Sequence, residues 1–218
     1  MSEREEIAKK VAEQLLQIKA IKINPENPFK WASGWNSPIY CDNRKVLSYP
    51  DTRAQVCDFF VQTIEANYKD VEVIAGVATG GIALGVMVAE RLNLPFVYVR
   101  AAAKKHGMQN LVEGALDPNK NIVVVEDLIS TGMSSLNAVE ALRESEANIL
   151  GMVAIFTYGF EQASQNFEEA NVDLQVLSNY NVLIEEATKL GYVSENNIKS
   201  LQEWRVNPSN WQAESLST

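Results

Sequence analysis

Ile122-Val123-Val124-Val125-Glu126-Asp127-Leu128-Ile129-Ser130-Thr131-Gly132-Met133-Ser134 is the stretch of sequence that decides the fold. Its β-branched start predicts a buried strand over residues 121–126, which brings the acids Glu126 and Asp127 to its carboxyl end. A turn of hydroxyl residues and glycine follows, and a helix is predicted from about Ser134 to Ser145. Open α/β sheets bind ligands at the carboxyl ends of their strands, so the same stretch also marks a candidate site.

Similar runs lie on both sides of this stretch. Strands are predicted over residues 71–77, 95–100, 149–156 and 174–178, with helices over 80–92 and between the last two strands. Apolar strands separated by helices predict an α/β fold with a parallel sheet covered on both faces. The one long gap, residues 101–120, is predicted to be a functional loop.

The two ends of the chain have a different pattern. Residues 2–19 predict an amphipathic helix in which Ser2 and Glu5 form a capping box, and residues 21–50 predict short extended pieces broken by prolines. A helix over residues 51–68, capped by Asp51, opens the core, and two helices follow Asn179. We therefore divide the chain into residues 1–50, a core over 51–178, and C-terminal helices over 179–218.

Composition narrows the class of protein. The chain has 218 residues, a formal charge of -9 and 46% apolar residues. This acidic balance argues against binding to nucleic acid or acidic membranes. Cys41 and Cys57 lack the spacing of a zinc site. A charged N-terminus and a longest apolar run of only residues 82–89 predict a cytoplasmic protein without a signal peptide or a membrane span.

The deciding stretch has the chemistry of a sugar-phosphate site. Backbone N–H groups of the turn and of the helix N-terminus favour a phosphate, and Gly132 allows close approach. Ser130, Thr131 and Ser134 add hydroxyl donors. Glu126 and Asp127 can bind ribose hydroxyls, directly or through a hydrated Mg²⁺. The alternative interpretation is a strand followed by an acidic helix cap.

The same stretch resembles the phosphoribosyl-pyrophosphate signature of type I phosphoribosyltransferases. The resemblance implies a Rossmann-like parallel-sheet fold with a small N-terminal hood, and it implies that residues 126–134 bind the donor. Glu126 and Asp127 would hold the ribose diol, and Ser130 to Ser134 would hold the 5-phosphate. The donor contacts implied in the deciding stretch are Glu126, Asp127, Leu128, Ile129, Ser130, Thr131, Gly132, Met133 and Ser134. Thr79 and Gly80, in a glycine-rich turn after a strand, would face the pyrophosphate.

Two further segments resemble the orotate phosphoribosyltransferases. Residues 100–107 are similar to that family's catalytic loop, in which Arg100, Lys104 and His106 would bind pyrophosphate, with Ala101 in place of a second basic residue. Residues 29–40 are similar to its hood, in which Tyr40, together with Ser130, would seat orotate. The resemblance thus implies Asp127, Lys104 and His106 as catalytic residues.

Other consequences follow from the same resemblance. It implies transfer of a phosphoribosyl group to orotate in pyrimidine synthesis, with Mg²⁺ held mainly through the substrate. It also implies a homodimer in which loop 101–120 completes the neighbouring site.

This sequence departs from the family pattern at the base. The family's base-binding lysine is Ala32 here, and no arginine lies near residues 156–160, so Lys22, Lys30 or Arg44 would have to substitute. The alternatives are a purine or xanthine phosphoribosyltransferase and a non-catalytic sensor of the donor.

Overall fold

The N-terminal part consists of helices and short antiparallel strands, and its first helix packs against the end of the core. The structure is a computed structural model, and it describes residues 2–31, 34–101 and 111–212. Its first elements are α1 (Glu3–Gln17), β1 (Ile21–Ile23), β2 (Phe29–Lys30), β3 (Asn36–Ser37), β4 (Ile39–Cys41), a 3-10 helix (Asn43–Ser48) and α2 (Pro50–Asn67). β1 pairs with β4 and β2 with β3, both antiparallel. The predicted capping box of Ser2 and Glu5 is present.

The core follows as an alternation of strands and helices. It comprises β5 (Val73–Val77), α3 (Gly80–Leu92), β6 (Phe96–Val99), β7 (Val112–Glu113), β8 (Asn121–Ile129), α4 (Met133–Glu144), β9 (Asn148–Thr157), α5 (Glu161–Glu169) and β10 (Leu174–Asn179). Helices α6 (Tyr180–Lys189) and α7 (Glu195–Val206) end the described chain. The α/β prediction is confirmed.

The main sheet sets the edge at which the site lies. In the described ranges its strands run in the order β10-β9-β8-β5-β6-β7. The first five pair in parallel, so their carboxyl ends meet at one edge. Helices cover both faces, and successive residues of β8 point alternately to the one and the other. Val123 and Val125 pack in one apolar cluster, and Ile122 and Val124 pack in the other.

Three details differ from the sequence predictions. β7 pairs antiparallel with β6 inside the segment predicted to be a loop, which a run of two residues is too short to reveal. The helix predicted to be capped by Asp51 begins at Pro50, whose missing N–H suits a first helical position, with Tyr49 as its N-cap. β8 continues to Ile129, because Leu128 and Ile129 still pair with β9, so the two acids lie within the strand.

The C-terminal helices complete the core around one aromatic side chain. Trp204 of α7 is fully buried, and its ring lies 5.4–5.7 Å from those of Trp31, Tyr158, Phe160 and Tyr180. The Trp204 indole N–H donates to the carbonyl oxygen of Asn36 at 3.2 Å. This packing joins the N-terminal segment to the C-terminal helices. Within the described ranges, no helix combines the length and apolarity needed to cross a bilayer.

Candidate active site

A cavity of about 440 Å³ opens at the carboxyl edge of the sheet, and we call it the edge cavity. Its lining is residues 77–80, 126–128, 130–132, 134 and 135, together with Cys41, Asp42 and Arg44. The ends of β5 and β8, the starts of α3 and α4, and the segment after β4 therefore meet here. A ligand site at this edge is what a parallel sheet of this kind favours.

The two acids of β8 point to opposite faces of the sheet. Glu126 is 5% exposed and turns toward α4, where its Oε2 accepts from the Ser135 hydroxyl at 2.9 Å. Its Oε1 accepts from the Asp127 backbone N–H at 2.9 Å. Burial, and secondarily the nearby Asp127 carboxylate, raise the pKa of Glu126 to about 8. The Glu126 carboxyl group thus binds a proton more tightly than an exposed glutamate does.

Asp127 faces the start of α3. A Cβ atom at Gly80 would overlap the Asp127 carboxyl group, so only glycine leaves room for both at this point. The Gly81 position is less able to adjust, because a Cβ atom there would overlap the backbone carbonyl oxygen of Val125 rather than a movable side chain. The turn from Thr79 to Gly81 and the end of β8 are therefore in direct contact, and both line the edge cavity or lie beside it.

The turn after β8 is shaped to hold an anion. Gly132, with a φ of 82°, is the N-cap of α4, and its Cβ would overlap the ring of Phe167. Gly132 has no side chain with which to cap the first turn of α4, so the N–H groups of that turn are available to a ligand. The hydroxyl residues predicted to assist them, Ser130, Thr131 and Ser134, all line the edge cavity.

A second cavity of about 330 Å³ adjoins the first, and we call it the aromatic cavity. It is lined by Lys30, Trp31, Tyr40, Cys41, Leu128, Ser130 and Tyr158. Three of these residues, Cys41, Leu128 and Ser130, also line the edge cavity. Tyr40 and Ser130, which were predicted to seat the base, lie together on its wall. The site can therefore hold a charged group and a flat ring side by side.

Several predicted donor contacts lie elsewhere or outside the described residues. Ile129 is buried in the core, and the Met133 side chain is 54% exposed. Arg100 follows β6, with its Nη1 3.6 Å from Oε1 of Glu113, and is not among the residues lining the edge cavity. Lys104 and His106 lie outside the described residues. The binding and catalytic roles assigned to all of these residues stay predictions.

Sequence reasoning missed the residues that connect the parts of the site. The Asn43 side-chain amide donates to the backbone carbonyl of Asp127 at 2.6 Å, and Ser135 holds Glu126. Trp31 and Tyr158 line the aromatic cavity with ring centroids 5.0 Å apart. Their contacts join distant parts of the chain, and no local pattern announces such contacts. Tyr158 had a weak signal, because it lies in the segment 156–160, near which an arginine was expected.

The fold and the two adjoining cavities define a phosphoribosyltransferase, a protein that holds a sugar phosphate beside a ring acceptor. The family model for the phosphoribosyl transferase domain matches residues 45–189. That range runs from the 3-10 helix to the end of α6 and includes both acids and both glycine turns.

Relatives narrow the class. An orotate phosphoribosyltransferase from Porphyromonas gingivalis is 55% identical over 205 residues, covering 94% of this chain and 98% of its own. One from Cytophaga hutchinsonii is 55% identical over 203 residues, covering 93% and 97%. The crystal structure of the orotate phosphoribosyltransferase from Aeropyrum pernix aligns with a TM-score of 0.74 at 28% identity, covering 84% of this chain and 99% of that one. The chain belongs to the orotate phosphoribosyltransferase family.

Proposed function

We propose that the chain transfers the 5-phosphoribosyl group of phosphoribosyl pyrophosphate to orotate, giving orotidine 5′-phosphate and pyrophosphate. The observation that carries this proposal is that two cavities of different chemistry join at Cys41, Leu128 and Ser130. The edge cavity suits the donor, and the aromatic cavity suits a planar acceptor. The two reacting atoms would meet where the cavities join.

In this proposal the donor lies along the edge cavity. The 5-phosphate is held by the N–H groups at the start of α4 and by the hydroxyls of Ser130, Thr131 and Ser134. The carboxylate of Asp127 accepts from the ribose hydroxyls. Glu126 also holds the ribose, from the opposite face of β8. The pyrophosphate group lies over the turn at Thr79 and Gly80.

The reaction needs positioning and charge stabilisation more than covalent chemistry by the protein. A ring nitrogen of orotate attacks the anomeric carbon as pyrophosphate leaves, and positive charge develops on the ribose ring. Asp127 beside the ribose favours that charge. Arg100, Lys104 and His106 are proposed to stabilise the leaving pyrophosphate, and His106 can donate a proton to it. Holding both substrates in line supplies much of the rate.

We also propose Mg²⁺ as a cofactor held mainly by the substrate. The edge cavity offers carboxylate oxygens, which Mg²⁺ prefers, but within the described residues no three acid, histidine or cysteine side chains cluster as a protein metal site. Asp127, whose carboxylate lines the edge cavity, would therefore share such an ion with the donor's hydroxyl and phosphate oxygens. When bound, it would neutralise part of the charge on the diphosphate.

Lys30 is the residue best placed to replace the missing base-binding cations. It is the one basic side chain among the described residues lining the aromatic cavity, whose other walls are mainly aromatic or apolar. Lys22 is exposed on β1 and lines neither cavity, and Arg44 lines the edge cavity instead. The carboxylate of orotate would pair with the Lys30 ammonium group.

Assembly and location complete the proposal. We propose a cytoplasmic homodimer in which loop 101–120 of each subunit reaches the site of the other. Support comes from the need of the open edge cavity for a cover that excludes water during transfer. The two free cysteines, Cys41 and Cys57, fit a reducing compartment.

A base panel tests the function directly. Purified protein is incubated with phosphoribosyl pyrophosphate, Mg²⁺ and, separately, orotate, uracil, xanthine, hypoxanthine or adenine, and nucleotide and pyrophosphate are measured. Orotidine 5′-phosphate should form from orotate at least about 100-fold faster than any other nucleotide forms, because the other bases lack the carboxylate. Preference for a purine would indicate the alternative enzyme, and donor binding without turnover would indicate a sensor. Asp127→Asn is the inactive control.

A further inference from the structure

Arg44 is the one positively charged side chain among the described residues that line the edge cavity. Three carboxylates, those of Asp42, Glu126 and Asp127, line the same cavity. A donor with a 5-phosphate and a diphosphate is strongly anionic, so this cavity needs positive charge near the phosphates. The basic segment at residues 100–107 has an alanine, Ala101, directly after its arginine. A cation on the fixed wall of the cavity would add to what that segment supplies.

The Arg44 side chain is oriented by one neighbour, and part of its guanidinium group is left for a ligand. Its Nε lies 2.7 Å from Oδ1 of Asp42, and the side chain is 59% exposed. Within the described residues, its Nη1 and Nη2 form no hydrogen bond or ion pair. A guanidinium held by one edge presents its remaining N–H groups to an oxyanion in a fixed direction.

The backbone that carries Arg44 is fixed next to the acid of β8. The neighbouring residue, Asn43, is 1% exposed and donates from its side chain to the Asp127 carbonyl oxygen at 2.6 Å. On its other side Asp127 abuts Gly80, in the turn proposed to face the diphosphate. Arg44 therefore follows directly after a residue that is fixed to Asp127, and Asp127 contacts the turn proposed to face the diphosphate.

We infer that Arg44 binds the diphosphate of the donor, with Asp42 as the residue that positions its guanidinium group. The 5-phosphate already has the first turn of α4 and three hydroxyls, and the aromatic cavity does not include Arg44 in its lining. The inference rests on the proposed function in its choice of donor. Its ligand chemistry is that of a diphosphate, which both the donor and free pyrophosphate carry.

The test compares ligands with and without a diphosphate. Dissociation constants of phosphoribosyl pyrophosphate, pyrophosphate and ribose 5-phosphate are measured by calorimetry with Mg²⁺ for the wild type, Arg44→Gln and Arg44→Lys. Arg91→Gln is the matched control, because Arg91, in the last turn of α3, forms a comparable 2.8 Å pair with Asp58 of α2. Arg44→Gln should weaken the first two ligands about tenfold and Arg44→Lys about threefold. Ribose 5-phosphate should change less than about twofold, and the control should bind all three normally.

Unchanged binding of phosphoribosyl pyrophosphate by Arg44→Gln would overturn the inference. An equal loss of ribose 5-phosphate would overturn it as well, since that result puts Arg44 at the 5-phosphate. Circular dichroism checks folding, and if Arg44→Gln is unfolded, wild-type affinity in Arg44→Lys decides against the inference. A wild type that binds the donor but does not react with orotate would refute the proposed function and leave the Arg44 test intact.

Discussion

The side-chain amide nitrogen of Asn43 lies 2.6 Å from the backbone carbonyl oxygen of Asp127, although 84 residues of chain separate them. The oxygen of the same amide group accepts from the thiol of Cys41, whose Sγ lies 3.1 Å away. Asn43 is buried, while its partners Cys41 and Asp127 are half-buried and line the edge cavity. The N-terminal segment that lines the aromatic cavity is thereby attached to the strand that carries Asp127, the acid proposed to hold the ribose.

Replacing Asn43 with alanine should affect both stability and catalysis. Loss of the amide leaves the Asp127 carbonyl without that partner, so the free energy of unfolding in urea should fall by about 1–3 kcal/mol. Turnover should also fall about tenfold or more, because the acid loses its fixed position. Asn148→Ala, which removes a 2.6 Å bond to Asn121 at the opposite end of β8 and β9, is the control and should leave turnover unchanged. Equal turnover in the two variants would contradict a positioning role for Asn43.

Alanine substitutions at Gly80 and Gly81 should have different effects, the first mainly on turnover and the second mainly on stability. In Gly80→Ala the new methyl group displaces the half-buried Asp127 carboxylate, so turnover should fall about 100-fold. Its stability should change by less than about 1 kcal/mol, since a side chain can move and alanine favours the helix. In Gly81→Ala the methyl group overlaps the Val125 carbonyl oxygen, so the free energy of unfolding should fall by about 1–3 kcal/mol. Thermal unfolding and initial rates measure both effects, and the reverse ranking would refute this assignment.

The sequence could predict the sheet and the donor turn because both depend on local pattern. The β-branched run before Glu126 and the hydroxyl-rich turn around Gly132 are continuous in sequence. The roles of Asn43 and Ser135 could not be predicted, because their contacts depend on tertiary packing. The same holds for β7, whose two residues pair with β6 only because the sheet already provides an edge.

The raised pKa of Glu126 should appear as a pH-dependent cost to folding. An ordinary glutamate titrates near pH ~4.3, so between pH ~4.3 and 8 the unfolded chain loses a proton that the folded protein keeps at Glu126. The contribution of this group to stability is therefore present at low pH and is lost as the pH rises, by at most about 1.4 kcal/mol per unit. The contribution of Glu126 to stability changes no further above about pH 8, where this side chain is ionised in both the folded and the unfolded chain.

Urea unfolding of the wild type and Glu126→Gln from pH 5.5 to 8.5 tests this dependence. The stability of the wild type relative to the variant should decline from pH 5.5 to about pH 8 and level off above that. Glu186→Gln is the control, since Glu186 is equally buried but has the Lys189 ammonium nitrogen 2.9 Å from its carboxylate. A difference between wild type and Glu126→Gln that stays constant with pH would rule out a protonated Glu126.

Lys30→Gln should weaken orotate binding and spare the donor. Loss of the one described cation of the aromatic cavity should raise the KM for orotate about tenfold. The KM for phosphoribosyl pyrophosphate should change less than about twofold, because Lys30 is not among the residues lining the edge cavity. Lys22→Gln, an exposed lysine on β1 that lines neither cavity, should behave as wild type. Equal effects of the two variants on orotate would exclude Lys30 as the partner of the carboxylate.

Mixing two inactive variants should restore activity if the subunits share their sites. Lys104→Ala removes the loop cation and Asp127→Asn removes the ribose carboxylate, so each variant alone should lose about 100-fold in turnover without comparable loss of stability. Random reassociation of equal amounts makes half of the dimers mixed, and each mixed dimer has one intact site when the loop acts on the partner. The mixture should therefore reach about a quarter of wild-type activity. Each variant carried through the same dissociation alone is the control, and a mixture no more active than those controls would show that loop and carboxylate act within one subunit.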